Sequence, residues 1–176
     1  MKINSLGVLL ILLTSIFTAC AAEPVQRPED FSLTFGWNTG ALPPQYFYSY
    51  TISVEPDGTG KLTYQPGYQL DNTENFWQTE FNLTNKQMDD LYQYLLDNDL
   101  LRSSWKEGEI LLGSSGTSIS ITANGKEFLV PSISKLQQAD RLLVNAAMDY
   151  IHSLVPQDIW DEMDARQQKY EAEFQE

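Results

Sequence analysis

Acid–base or metal chemistry in this chain would have to begin at its single histidine, His152. A structural zinc site needs about four Cys, His or carboxylate ligands, and nothing around His152 in the sequence assembles them. His152 therefore reads as a surface or half-buried side chain near a helix end. Gly113-Ser114-Ser115-Gly116 offers a serine nucleophile, but a nucleophile elbow places glycine two residues before and two after the serine. This spacing is different, and the segment reads as a connection leading into a strand. Pro56-Asp57-Gly58-Thr59-Gly60 resembles a calcium loop only in fragment, because the alternating acids and the distal glutamate are absent. Asp89 and Asp90 are adjacent, so on a helix they diverge rather than converge on a substrate. Asp97-Asn98-Asp99 reads as a helix end. The expectation is no catalytic residue, no metal site and no cofactor.

The remaining reactive side chain is Cys20, the only cysteine. It has no partner for an internal disulfide, and an uncapped thiol is a liability in an oxidising compartment. Ahead of it lie Met1-Lys2-Ile3-Asn4, with one positive charge, and an apolar run from Leu6 through Phe17. A charged start, an apolar stretch and small residues at its end form a secretory signal. A membrane-spanning helix needs about 20 apolar residues, and here Thr18-Ala19-Cys20 ends the run early.

Ile16-Phe17-Thr18-Ala19-Cys20 resembles the lipobox of bacterial lipoproteins, with Phe17 replacing the more usual leucine. The resemblance covers the first 20 residues. It implies that residues 1–19 are a signal peptide, that Cys20 receives a diacylglyceryl group, and that cleavage makes Cys20 the new N-terminus. Two or more acyl chains give stable anchoring where one gives marginal binding. The implied address is extracytoplasmic and lipid-anchored; Ala21, rather than Asp, follows the cysteine, which in Gram-negative members goes with the outer membrane. In such a protein the glycosylation pattern Asn82-Leu83-Thr84 reads as chance.

Residues 20–30 carry the lipidated cysteine and a tether containing Pro24 and Pro28. Ten residues reach about 30 Å at most, so the domain stays close to its membrane. The formal net charge is −13, with 24 acids against 11 Lys and Arg. That balance supplies no basic stripe and excludes nucleic acid as a partner. It also repels anionic head groups, so the lipid must do the anchoring.

Residues 31–176 read as one domain. Phe31, Leu33, Phe35 and Trp37 alternate with polar residues, a period of two. Tyr46 to Val54 is rich in aromatic and β-branched residues, and Asp57-Gly58 turns it back into Lys61-Leu62-Thr63-Tyr64. Trp77, Thr79, Phe81 and Leu83 mark a fourth strand. Thr84-Asn85-Lys86-Gln87 fits a capping box ahead of Met88, Leu91, Tyr92 and Leu95 at helical spacing. Thr117–Thr122, Asn124-Gly125 and Phe128-Leu129-Val130 read as a second hairpin. A helix is expected over about 135–154, capped by Ser134 and Gln137, with Leu136, Ala139, Leu143, Ala147, Tyr150 and Leu154 as its stripe. After Pro156 a last helix, 157–174, shows a thin edge of Ile159, Met163, Tyr170 and Phe174. The order ββββαββαα predicts an α+β domain with helices on one face of an antiparallel sheet.

Aromatic residues crowd the segment from Phe31 to Trp77. Most are needed under the helices. Trp37, Tyr46, Tyr48 and Trp77 are the candidates for an exposed face that stacks on a ligand or partner. Anchor, tether and lack of catalytic groupings together suggest a non-enzymatic accessory or protein-interaction domain of the envelope. The alternative is a small-ligand or glycan binding module built on those four rings. An enzyme would require converging carboxylates with separated pKa values.

Overall fold

The computed structural model describes residues 25–68, 76–110 and 113–173. The expected signal over 1–19, Cys20 and the first part of the tether lie outside the described residues, as does Phe174. Six strands are described: β1 (Ser32–Asn38), β2 (Tyr48–Val54), β3 (Thr59–Pro66), β4 (Trp77–Asn82), β5 (Gly116–Ala123) and β6 (Lys126–Val130). They form one antiparallel sheet in the order β4-β3-β2-β1-β5-β6. Three helices accompany it: α1 (Asn85–Asp97), α2 (Gln138–Ser153) and α3 (Gln157–Glu173). The chain is thus α+β in the order ββββαββαα.

Register explains why one face is apolar. Phe35 stands opposite Ile52 of β2 and Ile119 of β5, while Leu33 stands opposite Val54 and Ile121. Successive side chains alternate faces, so these rows all turn toward the helices and are buried. The other face presents Thr34, Thr51 and Ser118 to solvent, with Gly36 between the last two. Phe81 of β4 faces Gly60 of β3 and lays its ring where a β-carbon at Gly60 would stand.

Local turn chemistry sets the hairpins. Gly58 adopts a positive φ of 87°, and the Asp57 carboxylate accepts from the Thr59 amide at 2.9 Å. Asn124 and Gly125 both have positive φ, as a two-residue hairpin turn of this hand requires. Their amides donate to Asp30 at 2.8 and 2.5 Å, fastening the entry of β1 to the β5–β6 turn. Those backbone donors hold the Asp30 carboxyl below its ordinary range.

The expected capping box of α1 is formed. The Gln87 amide donates to Thr84 Oγ1 at 3.2 Å, and the Thr84 amide donates to Gln87 Oε1 at 3.0 Å. Met88, Leu91, Tyr92 and Leu95 are buried along its inner face. Burying a leucine of this kind stabilises by about 1.5–3 kcal/mol. Asn98 caps the end, and Asp99 follows with a φ of 51°.

Three expectations are corrected. Strand β2 begins at Tyr48 rather than Tyr46, because the Tyr46 and Phe47 amides turn back onto the Pro43 carbonyl at 2.9 and 3.0 Å. Ser134 and Gln137 form no capping box. Residues Ile133–Lys135 make a separate 3-10 turn, Ser134 Oγ meets Ser132 Oγ, and α2 starts only at Gln138 without a side-chain cap. The stripe of α2 is accordingly Val144, Ala147 and Ile151, and Ala139 is exposed. The buried line of α3 is Trp160, Met163 and Gln167, with Ile159 and Tyr170 on its flanks.

Candidate functional site

The end of the sheet where β1 finishes and β2 begins carries its largest rings. Trp37 stands opposite Tyr50 in register, and their rings stack at 5.3 Å with 24° between planes. Tyr48, two residues along on the same face, lies 5.4 Å from Trp37. From above, Trp160 of α3 meets Tyr50 edge-on at 5.2 Å. His152, at the end of α2, stacks flat on Trp160 at 3.7 Å. The Trp160 indole N–H is spent on the His152 carbonyl at 3.2 Å, which ties the two helix ends together.

These rings line a cleft of about 440 Å³ between the sheet, α2 and α3, completed by Met148, Asp149, Gln157, Met163 and Asp164. Its size is within the range of small-molecule sites. Tyr50 and Trp160 are buried and form the floor, while Trp37 and Tyr48 are half-exposed at the sides.

The electrostatics of the cleft have one sign. No Lys or Arg is among its lining residues. Asp149 and Asp164 are exposed and make no ion pair with a described residue. Burial against Trp160 pushes the His152 imidazole below its ordinary value, opposed by Asp149 and Asp164. Burial pushes the Tyr48 phenol up, with the Asp164 and Glu171 charges adding to it. Burial, with a contribution from Tyr48, raises the Tyr50 phenol as well. At neutral pH the ring groups are therefore neutral, and the charge at the opening belongs to the two carboxylates.

Of the four aromatic residues singled out in the sequence, Trp37 and Tyr48 come together here. Tyr46 stays exposed in the turn before β2. Trp77 lies on the other flank of α3, under the Arg166 guanidinium at 4.8 Å, in a separate groove with Tyr64, Phe76 and Tyr170. The single stacking face expected from the sequence is thus divided by α3. The residues that complete the cleft, Trp160, His152, Asp149 and Asp164, come from the second half of the chain. For Trp160 a signal was present, since it stands three residues before Met163 on the apolar edge of α3.

A buried polar link holds this end of the molecule. The Gln167 amide donates to the Gln45 carbonyl at 3.2 Å and accepts from the Tyr64 hydroxyl. It fixes the 43–47 turn, and so the start of β2, against α3. Among the described residues no group of three or more His, Cys, Asp and Glu side chains gathers as metal ligands. None of the described helices is long and apolar enough to cross a membrane. No family model matches the chain, and no curated protein matches it in sequence.

Proposed function

We propose that this is a lipid-anchored binding protein of the bacterial envelope, tethered through Cys20 and taking its ligand in the cleft beside Trp37 and Tyr48. The observation that carries the reading is the cleft itself. It is concave, floored by packed rings and edged by a small number of polar groups, the combination by which ligand sites are recognised. Its walls come from four separate elements, so the site is held by the fold rather than by a single loop. The chain enters β1 at the end opposite the cleft, where Asp30 is fastened to the β5–β6 turn.

Tryptophan fluorescence of the detergent-solubilised, lipidated chain tests the binding reading against a panel of sugars, amines, nucleosides and short peptides. A ligand that shifts emission saturably in the wild type and not in Trp37→Leu supports it. If nothing in the panel gives a Trp37-dependent response, the reading is lost. Incorporation of a labelled fatty acid by the wild type and not by Cys20→Ser tests the anchor.

One observation favours a protein partner as the second reading. Leu42, Tyr46, Tyr68 and Phe76 are 42%, 43%, 39% and 51% exposed around the same end of the sheet. Exposed apolar groups gathered at one end are suited to a partner surface. Crosslinking in the native envelope, with Tyr46→Ser and Phe76→Ser as comparators, separates a partner that needs this rim from one that does not.

A further inference from the structure

We infer that the cleft beside Trp37 selects a small organic cation, an alkylammonium or quaternary ammonium group, seated on the Trp37 and Tyr48 rings between Asp149 and Asp164. The inference rests on the reading of this cleft as a binding site and names the chemistry of what fills it. Ring faces carry negative charge density and attract cations within about 6 Å of their centres. Here two such rings stand 5.4 Å apart, both half-exposed at the opening.

Two carboxylates set the charge of the opening. Asp149 comes from α2 and Asp164 from α3, so the two charges approach the opening from different elements. Both line the cleft together with Trp37, Tyr48 and His152, which puts their charges at its opening rather than elsewhere on the helices. Neither is compensated by an ion pair among the described residues. An anion is repelled by such an opening. A neutral sugar leaves both charges uncompensated, whereas a monovalent organic cation offsets one of them and places its methyl or methylene groups on the rings. The neutral His152 imidazole raises no opposing charge. The rest of the chain points the same way, since a formal charge of −13 draws cations toward the surface.

The test titrates choline into the lipidated full-length protein in detergent, reading tryptophan emission, beside 3,3-dimethylbutan-1-ol, which keeps the shape and loses the charge. The expected result is saturable choline binding, with the neutral isostere weaker by about tenfold. Asp164→Asn, an exposed position whose change does not threaten folding, should weaken choline by about fivefold. Equal binding of choline and its isostere overturns the cation inference and leaves the cleft a binding site. Choline binding untouched by both Asp149→Asn and Asp164→Asn overturns it in the same way. If choline fails to bind, the inference falls. A Trp37-dependent response to a neutral sugar or peptide would then keep the binding reading, and silence from every probe would remove both.

Discussion

The Tyr64 hydroxyl donates to Gln167 Oε1 at 2.6 Å, joining β3 to α3 inside the protein. Both side chains are buried, and Gln167 uses its amide nitrogen on the Gln45 carbonyl and on Glu171. Every polar atom of the link thus has a partner, as a buried amide requires.

Tyr64→Phe removes the donor and keeps the ring. Gln167 Oε1 is then left buried without its partner, which costs about 1–3 kcal/mol. Urea unfolding should show a lower midpoint at an unchanged slope. A midpoint equal to that of the wild type would mean that water or a side-chain rotation replaces the bond.

Gly60→Ala should destabilise by about 1–3 kcal/mol, because a core with a ring already in place resists an added methyl group. The new β-carbon would enter the Phe81 ring across the β3–β4 pair. The double variant Gly60→Ala with Phe81→Leu should recover part of the loss. Additive losses in the double-mutant cycle would show that the two positions do not interact.

Asp30→Asn addresses pH. The Asn124 and Gly125 amides lower the folded-state pKa of Asp30 below its unfolded value. A depressed carboxylate pKa adds stability above the unfolded value, and the gain is lost as pH falls through the folded one. The wild type should therefore exceed Asp30→Asn in thermal midpoint at neutral pH, and the gap should close in acid below about pH 4. A gap that stays constant down to pH 2 would assign the effect to shape rather than charge.

The elements that the sequence revealed are those whose signals are local. Thr84 and Gln87 are three residues apart and satisfy each other's backbone, so their pattern needs no distant partner. Asn124-Gly125 makes its turn from its own dihedral preferences. Ser134 and Gln137 carry the same spacing as a capping box, but here tertiary partners took precedence. The Ile133 amide donates to Thr117 Oγ1 at 2.9 Å, and Ser134 turns to Ser132, which leaves the helix to begin later.

The cleft was half legible for the same reason. Trp37 and Tyr48 lie on adjacent strands, and the period of two places them on one face. Trp160 and Asp164 reach them only because α3 folds back across β2, a relation that no spacing in the sequence encodes. Trp77 shares that face with Trp37, yet α3 with its Arg166 stands between them.

The position of β1 has a kinetic consequence. It sits inside the sheet, with one partner about 10 to 20 residues downstream and the other, β5, about 80 to 90 residues downstream. Closing that longer loop costs entropy before the contact returns any energy, and pairings so distant in sequence slow folding. The hydrophobic centre is completed only when most of the polypeptide has been made. In a chain made from its N-terminus, β1 therefore waits with one edge unpaired until the β5–β6 hairpin arrives to cover it.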